Sequence, residues 1–272
     1  MVVLVLEDLR RRGYFQKAFG YECVDGDVDG EIQDPEAHFF LTTRRRDVWP
    51  YWTQPQQVYS VWDDPTPPAP PKAYENWDED TLMDVVEALH DVVAKPTRGA
   101  VHDFGGCGYH ASSFLTKPGR REFIDKVNVA LAHHSPPFEM NEDGEVVVST
   151  PGEFRNLMAA SVPESADAES VSLKVEHAKR VFTTRGSSIA DRRDAVTNLA
   201  AVLEAMRDEV RALMLREDES ALFLLANGFA IRHNKRDQRR DYDSGAWLQW
   251  AFYVYLSTIH TVLYLKDREL GG

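Results

Sequence analysis

The chain has little cysteine: Cys23 and Cys107 are the two it contains in 272 residues. That excludes a disulfide framework and makes a reducing cytoplasm the simplest expectation. Positive charge is also short overall, with 31 Lys and Arg against 44 Asp and Glu and a net charge of −13. A general nucleic-acid coat protein is thereby excluded, because phosphate binding draws on Lys and Arg. A local basic patch can still sit on an acidic protein. No basic segment precedes the short apolar run Met1 to Leu6, and Glu7 and Asp8 follow at once, so no signal peptide is expected. Paired CxxC knuckles are missing. A phosphate loop is missing too, since no Lys-Ser/Thr follows the glycines at 105, 106 and 108.

Long uncharged runs are equally scarce. One, at 246–265, has the length of a membrane span. It carries Gln249, Ser257, Thr258, His260 and Thr261, with Trp and Tyr spread along it. A buried helix of a bundle, and no membrane partner, is the expectation.

What is present favours a mainly α protein, α+β overall. Five prolines in Asp63-Asp64-Pro65-Thr66-Pro67-Pro68-Ala69-Pro70-Pro71 make a linker. Three segments are expected: 1–70, aromatic-rich and ending in that linker; 71–160, a small α+β segment; and 161–272, a helical bundle. In the first, residues 1–20 read as a short helix. Asp25-Gly26-Asp27-Val28-Asp29-Gly30 reads as an acidic turn rather than a calcium loop, because Pro35 sits before the closing Glu36. His38 to Thr43 has the composition of a strand. Trp49, Tyr51, Trp52, Tyr59 and Trp62 read as a layer packed on the core.

In the second segment, Asp78-Glu79-Asp80 starts a helix and Lys95-Pro96 ends it. A second helix is expected over 120–133 and a short strand over 145–148. In the third, Leu173, Val175, Ala178, Val181 and Phe182 mark a helix over 172–184. Ser187-Ser188 offers an N-cap. The stripe Ala195, Leu199, Val202, Leu203, Met206, Val210, Leu213, Met214 predicts one long helix over 189–216. Helices over 219–231 and 244–266 complete an antiparallel set of four.

Two polar stretches could carry chemistry. His102, Cys107 and His110 have metal-ligand spacing on a glycine-rich loop, with His133 or His134 as the fourth ligand a zinc ion would need. The same residues also fit a glycine turn with a buried thiol, and Cys107 beside His102 or His110 fits a nucleophile pair. The second stretch joins two apolar helices. It sets Arg232, Lys235, Arg236, Arg239 and Arg240 against Asp237, and adds His233. Arg offers a planar donor fork for phosphate, and His exchanges protons near neutral pH. Metal-independent RNA cleavage needs both: a base for the ribose 2′-hydroxyl and a cation for the phosphorane. The same arginines could instead cap a helix or pair with Asp241 and Asp243.

Residues from about 170 to 272 resemble a HEPN-type helical domain of bacterial abortive-infection proteins. Asn227 through Asp243, then Trp247-Leu248 and Trp250 with the long aromatic helix, carry the resemblance. The HEPN pattern is an Arg, a polar residue, several further residues and a His. Arg232 and His233 match its first two positions. Asp237, Gln238 and Arg239 stand where the closing His falls. The resemblance implies a homodimer with two copies of the motif in one cleft. It further implies a metal-independent endoribonuclease or toxin of phage defence, with a cognate antitoxin or defence partner. Arg232, His233 and Gln238 would be catalytic. Asn227, Asn234, Lys235, Arg236, Arg239 and Arg240 would hold RNA. No cofactor is implied, with zinc at His102, Cys107 and His110 as the alternative. A non-cleaving HEPN domain would bind RNA, a nucleotide or a protein.

Overall fold

In the computed structural model, residues 1–45, 48, 77–102, 104–162, 168–228 and 243–270 are described. They form a mainly helical protein with two small antiparallel sheets. The chain divides into two compact units, Met1–Val147 and Val148–Gly272.

The first unit begins with α1 (Val2–Arg11) and α2 (Gln16–Phe19). Helix α3 (Pro35–Thr43) occupies the stretch whose composition suggested a strand. Local capping overrides that composition. Asp34 accepts a hydrogen bond from the Ala37 N–H, and Pro35 pre-sets the first helical residue. Helix α4 (Glu79–Val92) starts where its acidic residues predict, with Asp78 accepting from the Thr81 N–H. Strands β1 (Lys95–His102) and β2 (Gly108–Leu115) pair as a hairpin. Helix α5 (Thr116–Leu131) follows, then β3 (Phe138–Met140) paired with β4 (Val146–Val148).

Leu9, Phe39, Met83, Leu89, Phe123 and Leu131 are fully buried within this unit. Helix α5 packs against α1, α4, β1 and β3. Residues on either side of the proline-rich stretch therefore share one core. The aromatic group at 49–62 and the linker at 63–71 lie outside the described residues.

The second unit holds α6 (Arg155–Ala159), α7 (Ala168–Thr183), α8 (Ile189–Ala205), α9 (Arg207–Leu213), α10 (Arg216–Gly228) and α11 (Ser244–Leu270). Ser188 and Asp191 form a capping box at the start of α8. The single helix predicted over 189–216 is two, divided at Met206. The turn there sets α9 against α11, where Lys266 meets Glu209 at 2.9 Å. Helix α8 packs on both α7 and α11. Leu199, Leu203, Phe252, Leu256 and Ile259 fill the space between them, and Phe182 stacks on Phe252 at 3.9 Å. No helix among the described residues is long and apolar enough to cross a membrane. The charge-free run at 246–265 instead buries one face of α11 in this core.

Candidate metal centre

The hairpin explains how the glycine-rich stretch becomes a site. Strand β1 ends at His102, a short 3₁₀ turn runs from Phe104 to Gly106, and β2 starts at Gly108. His102 pairs with Gly108 across the ladder, and Ala100 with His110. Cys107 sits between the turn and β2. Its sulfur lies 3.1 Å from the Phe104 carbonyl oxygen. Three potential ligands thus converge at one hairpin end.

The fourth comes from far away in sequence. Gln16, at the start of α2, clasps β2 with both ends of its amide. Its Nε2 donates to the Tyr109 carbonyl at 2.6 Å, and its Oε1 accepts from the Ala111 N–H at 2.8 Å. Tyr21 bridges Val28, closing residues 22–27 into a bend. Asp27 caps that bend by accepting from the Cys23 N–H at 3.0 Å. The acidic stretch is therefore a closed turn, and it presents Cys23 to the hairpin end.

Cys23, His102, Cys107 and His110 each offer one ligand atom, all within 4.8 Å of one another. All four residues are half-buried. A tetrahedral zinc with bonds of about 2.3 Å to sulfur and about 2.0 Å to nitrogen would set its ligand atoms about 3.3–3.8 Å apart. Cys23 Sγ and His102 Nδ1 are already 3.3 Å apart. Small rotations of the remaining side chains would close the set.

The surroundings orient the ligands. His102 Nε2 faces the Asp25 carboxylate at 3.4 Å, which leaves Nδ1 directed at Cys23. A carboxylate behind a ligating imidazole fixes its tautomer and raises its basicity. His110 stacks on Tyr21, ring centroids 4.2 Å apart. Its Nε2 is buried and has no hydrogen-bond partner among the described residues. Burial, then the nearby His102, lowers the His110 pKa, so the ring is neutral at physiological pH, the form that binds metal. The Asp25 N–H donates to Cys23 Sγ at 3.4 Å and lowers the thiol pKa. Burial, Cys107 and the Asp25 carboxylate oppose this, and the net shift is upward. Zinc binding at such a thiol would release its proton.

Of the residues singled out in sequence, His102, Cys107 and His110 come together. His134 does not join them: its Nδ1 faces Glu79 at 3.7 Å and its ring packs near Phe138. His133 is also outside the group of four. Cys23 was the residue sequence reasoning missed as a ligand. The available signal was that it is one of two cysteines in a chain whose other cysteine lies between two histidines. Asn227 falls in the last turn of α10. Arg232, His233, Asn234, Lys235, Arg236, Gln238, Arg239 and Arg240 lie outside the described residues. The sequence matches no family model and no curated protein, and the fold matches no solved structure.

Proposed function

We propose that the first unit holds one zinc ion through Cys23, His102, Cys107 and His110. The observation that carries this reading is the convergence of two sulfurs and two imidazoles within 4.8 Å of one another, on segments far apart in sequence. Two thiolates and two imidazoles in a tetrahedron suit zinc better than calcium or magnesium, which prefer oxygen. Four protein ligands leave no open position for water or substrate, so the ion is structural. It staples the bend at Cys23 to the end of the hairpin. Elemental analysis of purified protein tests this, with one zinc per chain expected. Cys107→Ser should abolish stoichiometric binding. Asp25→Asn, which keeps the shape but removes the charge behind His102, should weaken binding by about 10-fold. Metal-free protein after purification with zinc supplied would count against the centre.

A second reading concerns activity and belongs to the helical unit. We propose that it is a HEPN-like, RNA-directed dimerisation domain of a cytoplasmic defence protein. Supporting this is the chain path: α10 ends at Gly228 and α11 starts at Ser244, so the basic stretch joins two helices of one helical unit. Arg232 would stabilise phosphate charge, His233 would act as acid or base, and Gln238 would take the place of the closing His. Asn227, Asn234, Lys235, Arg236, Arg239 and Arg240 would hold the strand. RNA incubated with zinc-loaded protein in magnesium-free buffer should be cleaved, and Arg232→Ala or His233→Ala should stop cleavage. Intact RNA that is nevertheless retained by the protein would assign the non-cleaving, RNA-binding form. Neither cleavage nor retention would remove RNA as the partner.

A further inference from the structure

Resting on the zinc reading, we infer that Cys23 and Cys107 form a redox-sensitive pair: a peroxide converts the zinc staple into a disulfide staple and releases the metal. Three observations point there. The two sulfurs lie within 4.8 Å of each other. They are the two cysteines of the whole chain, so one intramolecular pairing exists. Both sit on bends rather than within helices or strands, and both are half-exposed. Cys107 is flanked by Gly106 and Gly108 in left-handed conformation, at φ of 76° and 84°, with open space where a side chain would stand. Among the described residues, none packs against those two glycines to resist the small approach of Cys107 that a bond of about 2.05 Å between sulfurs requires.

The chemistry balances with hydrogen peroxide as oxidant. One zinc-bound thiolate attacks a peroxide oxygen. The O–O bond breaks, hydroxide leaves, and the sulfur becomes a sulfenic acid. The second thiolate attacks that sulfur. The S–S bond forms, the S–O bond breaks, and a second hydroxide leaves. Two protons from solvent turn the hydroxides into water. Each sulfur loses one electron, and the peroxide takes both. A disulfide sulfur no longer supplies the thiolate charge, so His102 and His110 alone hold the ion too weakly to retain it. Residues 23 and 107 stay tied throughout, first by metal and then by the covalent bond. The unit keeps this long-range link while the two histidines become available.

The test uses the zinc-loaded full chain and titrates hydrogen peroxide against it. Zinc release is followed with a chromogenic chelator, thiols are counted after denaturation, and the cross-link is located by peptide mass. Expected are one zinc released per chain, loss of both thiols, loss of two hydrogens from the intact mass, and a peptide joining Cys23 to Cys107. A dithiol reductant with added zinc should restore the starting state. In Cys107→Ser the resolving thiol is gone, so the two-hydrogen mass loss and the joined peptide should both disappear. Should that variant not fold, the wild-type mass and zinc data decide alone. Zinc retained under peroxide, sulfinic or sulfonic acids in place of the cross-link, or cross-links between chains would overturn the switch and leave the zinc centre standing. A chain carrying no zinc at the outset would overturn both.

Discussion

Each of the two units has its own kind of interior. In the helical unit an apolar seam does most of the work: α7, α8 and α11 close over Leu199, Leu203, Phe252, Leu256 and Ile259. The first unit has an apolar core as well, but its periphery depends on polar clasps between distant segments. Gln16 ties α2 to β2. Asn128 donates to the Met140 carbonyl and accepts from the Met140 N–H. Glu87 accepts from the Val146 N–H at 2.8 Å. Glu122 gathers Arg12 and Lys95, each at 2.9 Å. With these two cations and Tyr14 bonded to it, and despite its burial, the Glu122 carboxyl is pulled down to about 2. A seam built on non-directional burial tolerates small shifts. A set of directional clasps fixes positions closely, which is what a ligand cluster needs.

The contrast can be broken at its strongest point first. Phe252 is fully buried and stacks on Phe182. Phe252→Ala should destabilise the helical unit by about 3–5 kcal/mol through lost burial and a cavity. Zinc stoichiometry should stay unchanged, as metal analysis beside thermal unfolding would establish. Zinc removal should do the reverse. Stripping the ion should cost the first unit about 4 kcal/mol where free zinc had stood at about 1,000 times its dissociation constant. Hydrogen exchange should then rise around residues 20–28 and 100–112, with α8 and α11 unaffected.

A smaller effect tests packing within the first unit. Gly144 has a φ of 87° and lies against the ring of buried His90, where an added methyl would collide. Gly144→Ala should cost about 2–3 kcal/mol, combining a left-handed strain with overpacking. Chemical denaturation reads it. A destabilisation below about 0.5 kcal/mol would mean that His90 yields easily.

The smallest effect should be common to both units. Burial, then Arg120, lowers the pKa of His90; burial, then Lys179, lowers that of His260. In each case the folded value lies below the unfolded one, so the unfolded chain binds more protons in acid. The stabilising contribution is complete above about pH 6.5 and falls as pH drops from there toward the folded pKa. The slope is up to about 1.4 kcal/mol per pH unit for each histidine. His90→Phe should flatten this loss in the first unit alone, measured as unfolding midpoints between pH 7 and pH 5.

Local patterns in the sequence account for much of the fold. Asp78 with Glu79 and Asp80 announces α4, and Ser188 with Asp191 announces α8. The apolar repeat from Ala195 to Val210 marks the residues the second unit buries. Each of these signals spans a few turns of helix, and helical periodicity and capping act over that range. Helix α3 was harder to foresee, because His38 to Thr43 has the composition of a strand and one cap at Asp34 tips the balance. The break at Met206 was also hidden, since the apolar repeat runs through it and only packing on α11 makes the turn useful.

The candidate site divides along the same line. By itself the sequence determined that His102, Cys107 and His110 lie close together, because they share one glycine-rich turn of nine residues. Only the tertiary structure decided that Cys23 joins them. Its sulfur reaches His102 across 79 positions of chain, through the Gln16 clasp and the bend capped by Asp27. Spacing along a chain reports proximity within a turn or an element. Proximity between separate elements depends on which surfaces pack, and hydrogen bonds such as those of Gln16 leave no periodic trace in the sequence.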